Sequence, residues 1–228
     1  MATTFLAAAQ EFITRLKLSG SGPSAVTGQP REYQIPIRLL ASAHKEIVAS
    51  HIDWTFLWGT SYVEITTGGN PHTANVTNIK KYDESTFRRN SDGEYLGVVP
   101  WVQYKKERLT PTEQASTGKP EQIVIQPDKK IIALPFPDAN GPYRADFDYW
   151  RCGTELTADD TVLDIPDDCI ETLYHRARML WLDEEESPQY QLAKDDFMAA
   201  YTLMEMAYWP GKGEASMAED QEIVVVSE

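Results

Sequence analysis

Few side chains in this sequence could do chemistry, and their spacing favours structural roles. His44 and His51 lie two helical turns apart, whereas two histidines that bind one metal from a helix are usually four residues apart. The aspartate pairs at 159–160, 167–168 and 195–196 are adjacent, and neighbours on a helix point about 100° apart. The four histidines are therefore expected at packing or surface positions; they are His44, His51, His72 and His175.

Motifs that position a nucleophile or a phosphate do not occur in the sequence. There is no G-x-S-x-G, no Walker loop and no G-x-G-x-x-G, and TTGGN at 66–70 is typical of a turn. Acidic residues around the start of the predicted third helix suit the positive end of a helix dipole without catalysis. These are Asp164, Asp167, Asp168 and Glu171. We therefore expect a protein that is not an enzyme and that uses no metal and no cofactor.

Cysteine usage and hydropathy bear on the redox compartment of the chain and on membrane insertion. Cys152 and Cys169 form no C-x-x-C motif, which favours reduced thiols in a cytosolic setting and leaves a single disulfide open. No apolar run approaches the roughly 18 to 20 residues that cross a bilayer. The opening MATTFLAAAQEFITRL carries Glu11 and Arg15 within its apolar pattern, which predicts a helix rather than a signal peptide.

The net charge of −14 is concentrated in the last third of the chain. Residues 1–154 hold 17 Lys and Arg against 16 Asp and Glu, whereas residues 155–228 hold 4 against 19. Binding of nucleic acid by phosphate neutralisation requires clustered Lys and Arg, so this balance argues against it. The acidic third is interpreted either as a solubilising surface or as one that repels DNA or meets a basic partner.

Helical spacing of apolar residues predicts two helices near the N-terminus. The first begins after Thr3 or Thr4, either of which can cap it. The second begins at Pro36, because proline is favoured in the first helical turn, and it ends in an aromatic cluster closed by Gly59. The two apolar faces are Phe5, Leu6, Ala9, Phe12, Ile13 and Leu16, and Ile37, Leu40, Ala41, Ile47 and Val48.

Two further helices are predicted after residue 155. The third starts at Pro166, and the fourth has Ser187 as its cap and Pro188 as its first helical residue. Their apolar faces are Ile170, Leu173, Tyr174, Ala177, Leu180 and Trp181, and Tyr190, Ala193, Phe197, Ala200, Tyr201, Met204 and Tyr208. We expect all four apolar faces to pack together although they come from opposite ends of the chain.

Between about residues 60 and 151 the segments are short, β-rich and separated by turns. QIVIQPDKKIIALP (122–135) predicts a hairpin with Pro127 and Asp128 in its turn. In PYRADFDYW (142–150) apolar and polar residues alternate, which predicts a strand with one buried face. PWVQYKKERL (100–109) is ambiguous and could form a short helix.

The order of these elements predicts an α+β fold. N- and C-terminal helices would form a four-helix bundle that carries an inserted β-rich, sandwich-like domain. The expected divisions are N-terminal bundle helices at 1–59, the β-rich domain at 60–154, C-terminal bundle helices at 155–210 and an extended tail at 211–228.

The segment SHIDWTFLWG (50–59) concentrates large aromatic side chains, the residues that contribute most to burial. We expect it to be a structural anchor that wedges between bundle and β-rich domain and fixes their angle, not a chemical site. Its members are Asp53, Trp54, Phe56, Leu57 and Trp58. A second aromatic group could form a carbohydrate-stacking platform, although core packing is favoured; it comprises Trp101, Tyr104, Tyr143, Tyr149 and Trp150.

The last 18 residues are polar until Ile223, Val224, Val225 and Val226. Four consecutive β-branched residues on a free tail are an aggregation hazard. Two interpretations stay open: a frayed end, or a strand that orders on the sheet edge of a partner.

Four segments, in this order, resemble head-to-tail adaptor (neck or connector) proteins of tailed bacteriophages. The first is a helix running into HIDWTFLW (51–58), and the second is STFRRN (85–90) followed by LGVVPWVQYKKERL (96–109). The third runs from GKPEQIVIQ (118–126) through KIIALPFPDANGPYRADFDYWRCGTEL (130–156). The fourth is TADDTVLDIPDDCIETLYHRARMLWLDEEE (157–186). The likeness spans about residues 36–208, and the tail beyond Gly211 has no counterpart in it.

The resemblance implies a structural virion protein, made in the host cytoplasm and located in the neck between the portal vertex and the tail. Copies would form a ring, usually of twelve, that binds the portal and the tail or nozzle proteins and surrounds the DNA channel. DNA would pass without specific binding, and no membrane is involved. Candidates for lining the channel are Asp159, Asp160, Asp183, Glu184, Glu185 and Glu186; candidates for portal binding are Ile223, Val224, Val225 and Val226.

Two other classes of function stay open. A tail-completion or fibre-attachment virion protein would bind tail components rather than the portal. A glycan-binding β-sandwich with helical flanks would bind sugars through Trp101 or Trp150.

Overall fold

The computed structural model describes residues 2–18, 20, 22–107 and 116–210. Over these residues the fold is α+β, with five α-helices and nine strands. The chain divides into two compact units. The described residues of Met1–Leu57 and Gly153–Glu228 form the helical unit, and those of Trp58–Cys152 form the β unit.

The first helix of the helical unit, α1, spans Phe5–Arg15. Thr4 caps it, as predicted, because its Oγ1 accepts a hydrogen bond from the backbone N–H of Ala7 at 3.4 Å. One face of α1 is buried, and Phe12 and Ile13 lie at its centre.

The second helix, α2, spans Arg31–Ser50, so the prediction that it begins at Pro36 is wrong. Pro30 has an extended backbone, and its carbonyl accepts hydrogen bonds from the N–H groups of Tyr33 and Gln34. The helix therefore begins before Pro36. A proline inside a helix removes one hydrogen bond, and the rest of the 20-residue helix continues past this gap.

The predicted end of α2 is also wrong. The helix stops at Ser50 because the backbone of His51 is extended, with φ −125° and ψ 146°. Thr55–Leu57 then forms a single 3-10 turn, and Gly59 lies in a strand rather than closing a helix. The aromatic cluster therefore lies in the connection after α2.

The two C-terminal helices of the helical unit are α4, Ile170–Glu184, and α5, Tyr190–Tyr208. A 3-10 turn, Asp167–Cys169, follows Pro166 and leads into α4. Ser187 accepts hydrogen bonds within the turn before α5, from the N–H groups of Gln189 and Tyr190. The predicted start of α5, with Ser187 as cap and Pro188 as first helical residue, is therefore wrong by two residues.

The helical unit is held by three helix contacts: α1 with α2, α2 with α4, and α4 with α5. Burial of apolar side chains is the main favourable contribution to such packing. Most of the predicted apolar faces are buried, and Leu40, Leu173, Ala177 and Met204 have no exposed surface.

The described residues of the β unit contain the nine strands and one short helix. The helix, α3, is Trp101–Glu107 and lies in the segment that the sequence left ambiguous. The strands are β1 Trp58–Ile65, β2 Ile79–Tyr82, β3 Arg88–Arg89, β4 Gly97–Val98, β5 Thr117–Gly118, β6 Gln122–Ile125, β7 Ile131–Leu134, β8 Phe136–Pro137 and β9 Tyr143–Arg151.

Strand β9 is the centre of a four-stranded antiparallel sheet with β1 on one side and β2 and β3 on the other. The predicted alternation in β9 is confirmed, since Ala145 and Phe147 are buried. The predicted hairpin is also confirmed: β6 and β7 pair antiparallel, with Ile125 opposite Ile131 nearest the turn. β4 extends this pair into a three-stranded sheet, and β5 pairs with β8.

Candidate functional site

The anchor predicted at 50–59 is centred on Trp54, which has no exposed surface. Its indole Nε1 donates a hydrogen bond to the carbonyl of Ile47 in α2, at 3.1 Å. The ring contacts three aromatic side chains, with centroid separations of 4.8 Å to His51, 5.1 Å to Phe56 and 6.3 Å to Tyr201. A buried Trp normally needs such a partner for its N–H, so this residue is satisfied in both its apolar and its polar parts.

The connection after α2 is fastened to the end of α5. The His51 ring stacks on Trp209 at a centroid separation of 4.1 Å, and its Nε2 lies 2.9 Å from Oε1 of Glu205. Trp209 in turn donates from Nε1 to Asp53 at 3.1 Å. The sequence predicted a packing or surface position for His51 but not its partners Glu205 and Trp209, because these lie about 150 positions away. The end of α5 is thereby fixed where the chain continues beyond the described residues.

The other predicted members of the anchor have different surroundings. Leu57 is fully buried, and Phe56 packs edge-on against Tyr208. The Tyr208 hydroxyl donates to the carboxylate of Asp168, and this bond raises the pKa of Tyr208 to about 12. Trp58 begins β1 in the β unit and is 49% exposed.

The six acidic candidates for lining a channel lie in two places. Asp159 and Asp160 are in the loop before α4; Asp159 accepts a hydrogen bond from the Val26 N–H at 2.6 Å, which is a structural role. The other four are exposed at and just beyond the C-terminal end of α4, where Glu184 pairs with Arg38 at 2.8 Å. They are Asp183, Glu184, Glu185 and Glu186. The portal-binding candidates Ile223, Val224, Val225 and Val226 lie outside the described residues.

The buried titratable groups of the helical unit are held by hydrogen bonds. His44 is 1% exposed, and its Nε2 accepts a hydrogen bond from the N–H of Asp164 at 3.2 Å. The Asp164 carboxylate accepts from the hydroxyl and the N–H of Thr154 at 2.9 and 2.5 Å. This trio ties the segment before α4 to α2.

Residues of the types that bind metals do not converge in the part of the chain that is described. No group of three or more His, Cys, Asp or Glu there could hold an ion. Both Cys152 and Cys169 are free thiols. In the β unit, burial lowers the pKa of His72, so its ring is neutral at pH 7.

A buried arginine organises the segment STFRRN of the β unit. The guanidinium of Arg89 is bonded to Asp92, to Glu94 and to the carbonyl of Pro120. Lys119 bonds the same Asp92, and the two cations hold the pKa of that carboxyl well below its usual range. This network joins the turn after β3 to the chain before β6, and sequence reasoning did not identify it.

An open groove of about 600 Å³ lies on the four-stranded sheet of the β unit. Its lining includes several polar and charged side chains: Arg144 stacks over Tyr62 at 4.0 Å, and both Arg144 and Asn90 donate to Asp146. Burial raises the pKa of the neighbouring Asp148 carboxyl. Mixed donors and acceptors of this kind suit a hydroxyl-rich ligand.

The aromatic residues considered as a sugar platform are mostly packed within the β unit. Trp101 stacks on Tyr104 at 5.7 Å beside the core residues Val124 and Leu134. Tyr143 and Tyr149 pack against the larger core, and Trp150 is half-buried with Lys81 above its ring.

The helix α5 has an apolar face that no described residue covers. Of the residues of α5, only Ala193 and Met204 are buried. Leu192, Leu203 and Met206 are 59%, 68% and 64% exposed. Together with the exposed Ala199 they recur at spacings of seven, four and three, which places them on one side of the helix. We call Leu192, Ala199, Leu203 and Met206 the α5 stripe.

Helix α2 presents a row of exposed cations. Arg31, Arg38 and Lys45 are exposed and recur every seven residues, and the half-buried Ser42 and the exposed Ala49 lie on the same side of the helix. Two exposed carboxylates, Glu32 and Glu46, also lie on α2. Arg38 is bonded to Glu184, yet its side chain is still 65% exposed. Arg31 and Lys45 have no ion pair with any described residue. We call Arg31, Arg38 and Lys45 the α2 row.

Charge is divided unequally between the two units. The described residues of the helical unit carry 8 Lys and Arg against 18 Asp and Glu, whereas residues 58–152 carry 12 of each. The acidic character of the chain therefore belongs to the helical unit, and the α2 row is its main cationic feature.

Within the described ranges, no helix is both long enough and apolar enough to cross a membrane. No protein-family model and no curated protein sequence matches this chain.

Proposed function

We propose that this chain is a head-to-tail adaptor of a tailed bacteriophage. Twelve copies form a ring at the neck of the virion, where the ring binds the portal on one side and tail, nozzle or fibre proteins on the other. DNA passes through the central channel, and the protein carries out no chemical reaction.

The main support is the division of the chain into two units. Both ends of the chain build the helical unit, and the uninterrupted middle builds the β unit. This order agrees with a four-helix bundle of α1, α2, α4 and α5 that carries an inserted β-rich domain, which is the architecture predicted from the order of elements in the sequence. Two separately packed units offer two separate surfaces, and a neck ring needs one for each neighbouring assembly.

The charge of the helical unit also supports this proposal. A surface facing DNA in a channel should not neutralise phosphates, because each such contact would slow the passage of the genome. The acidic group Asp183, Glu184, Glu185 and Glu186 is the best candidate for that surface. Replacing these four residues with lysine should slow ejection of the genome from assembled particles. If the particles retain and eject their genome as the wild type does, these residues do not line the channel.

The function is tested by assembling particles without this chain. We expect capsids that package DNA, lose it afterwards and carry no tail, with full recovery when the wild-type chain is supplied. Tailed particles that retain their genome without the chain would contradict the proposal.

The groove on the β unit supports a second candidate function, binding of a glycan. The carboxylate of Asp148 and the guanidinium groups of Arg88 and Arg144 could bond sugar hydroxyls there. A glycan array with the wild-type chain and with Asp148→Asn separates the two functions. If the wild-type chain binds glycans on the array and Asp148→Asn does not, a sugar-binding module is favoured. An adaptor does not need to bind any glycan.

A further inference from the structure

The α5 stripe is larger than an ordinary scatter of exposed apolar residues. Single surface leucines are common, but soluble monomers rarely expose contiguous apolar patches without a function. Here two leucines and a methionine with more than half of their surface exposed lie on one helix face. A helix face with seven-residue spacing is suited to packing against a second helix.

Electrostatics restricts what can cover this stripe. Asp195 lies within the exposed face of α5, and the four acidic residues at 183–186 precede the helix. Two copies that paired stripe to stripe in parallel would bring these carboxylates together, and like charges in contact are destabilising. A covering surface that carries positive charge avoids this repulsion in either direction of pairing.

The α2 row has the required charge and spacing. Its three cations recur every seven residues, as Leu192, Ala199 and Met206 do on α5. The alkyl stems of Arg and Lys can cover apolar surface while their charged ends reach neighbouring carboxylates. The small residues Ser42 and Ala49 lie among the cations, and small side chains allow two helices to approach closely.

We propose that the α5 stripe of one copy packs against the α2 row of the next copy. The α5 stripe and the α2 row are different surfaces on different helices of the unit. The contact is therefore heterologous, and repeated contacts of this kind close a ring when the rotation allows it. This inference rests on the proposed ring and assigns its subunit interface.

Cysteine cross-linking tests the contact directly. In the Cys152→Ser/Cys169→Ser background, Ala199→Cys is placed at the middle of the α5 stripe and Ser42→Cys near the middle of the α2 row. Central positions meet whether the helices run parallel or antiparallel. Mild oxidation of the chain carrying both should give a ladder of dimers, trimers and larger species on a non-reducing gel.

The chains that carry only one of the two substitutions make the result decisive. Each should remain monomeric on the gel, because every predicted disulfide joins position 199 of one copy to position 42 of another. Dimers from Ala199→Cys alone would show twofold pairing of the stripes and overturn the proposal. A doubly substituted chain that gives no ladder up to its solubility limit would also overturn it, since another protein would then cover the stripe.

A second experiment measures the apolar contribution by sedimentation velocity. Leu203→Asp should weaken self-association about tenfold or more. The substitution places a charge where the proposed contact buries the leucine side chain against the next copy. Val102→Asp is the matched control, because Val102 is 63% exposed but lies in α3 of the β unit. Equal association of both variants would contradict the interface. A ring seen at the neck with a different contact would refute this inference alone and leave the function in place.

Discussion

The indole of Trp54 combines a fully buried ring with a hydrogen bond to the carbonyl of Ile47. Around it, His51, Tyr201 and Trp209 complete an aromatic cluster that joins the end of α2 to the end of α5. Such a residue has no easy replacement, because a smaller side chain leaves a cavity and loses the hydrogen bond to the carbonyl of Ile47.

Replacing Trp54 with alanine should lower the free energy of unfolding by about 3 to 5 kcal/mol, as for other buried aromatic truncations. Chemical denaturation followed by circular dichroism measures the change. The matched control is Trp58→Ala, which removes an indole that is 49% exposed and should cost clearly less. Equal losses for the two variants would show that burial in the cluster does not explain the role of Trp54.

Arg15 links helix α1 to α4, beside the stacked rings of Phe12 and Tyr174. The guanidinium of Arg15 bonds both carboxylate oxygens of Glu171, at 2.6 and 2.8 Å, and lies 4.4 Å from the ring centre of Tyr174. The bond from Arg15 lowers the pKa of Glu171, and the same interaction raises that of Arg15. Because the two side chains are 40% and 50% exposed, water and salt reduce the strength of this pair.

The pair predicts a pH-dependent contribution to stability. A carboxyl group whose pKa is lowered in the folded state stabilises the fold above its unfolded value of 4.5, and this contribution is lost as the pH falls through the folded pKa. Glu171→Gln should therefore lower the free energy of unfolding at pH 7 by about 1 kcal/mol or less.

The difference between Glu171→Gln and wild type should disappear on titration to the acid side. Glu32→Gln is the control, since the described residues provide no ion pair for Glu32. If the difference in free energy of unfolding between Glu171→Gln and wild type stays constant from pH 7 to below the folded pKa, the ion pair with Arg15 is not the source of the stabilisation.

Local sequence signals predicted elements best where the structure depends on neighbours along the chain. The Thr4 cap, the β6–β7 hairpin and the alternation in β9 all follow from residues within a few positions of each other. The start of α2 is also local, since the Pro30 carbonyl accepts from the N–H groups of Tyr33 and Gln34, but Pro36 was the stronger sequence signal and misplaced it. The end of α2 is not local, because the Trp54 cluster that follows it is completed by α5.

The candidate interface was only partly predictable in the same way. Helical spacing placed Ala193 and Met204 on the buried face of α5, and both are buried. The apolar residues left over, Leu192, Leu203 and Met206, were the signal for a second contact surface. The partner of that surface could not be predicted, since it depends on which side of α2 the fold exposes.

On the scale of the whole molecule, each unit has its own core and should fold by itself. The chain enters and leaves the β unit on neighbouring strands, because Trp58 pairs with Trp150. Paired residues on adjacent strands are about 5 Å apart, so a short linker can replace the β unit.

Joining residues 1–57 to 153–228 through about five glycine and serine residues should give a helical protein that melts cooperatively. Residues 58–152 alone should give a β-rich protein that also melts cooperatively. Residues 1–57 alone are the control, since without α4 their apolar faces have no partner and they should not melt cooperatively. Loss of cooperativity in the joined helical protein would show that the helical unit depends on the β unit.

The tail beyond the described residues belongs to the same scale. If Ile223 to Val226 pair with a sheet edge of the portal, deletion from Gly213 onward should leave the chain folded and abolish its co-purification with the portal. Replacing the same four residues with serine is the matched variant and should act like the deletion. Portal binding that survives both changes would limit the tail to another role.

Electron cryomicroscopy of the purified chain mixed with the portal of its phage tests the adaptor assignment most directly. The account predicts a ring of twelve copies, coaxial with the portal, in which α5 of each copy packs against α2 of the next. Portal particles that remain bare at saturating concentrations of the chain would contradict it.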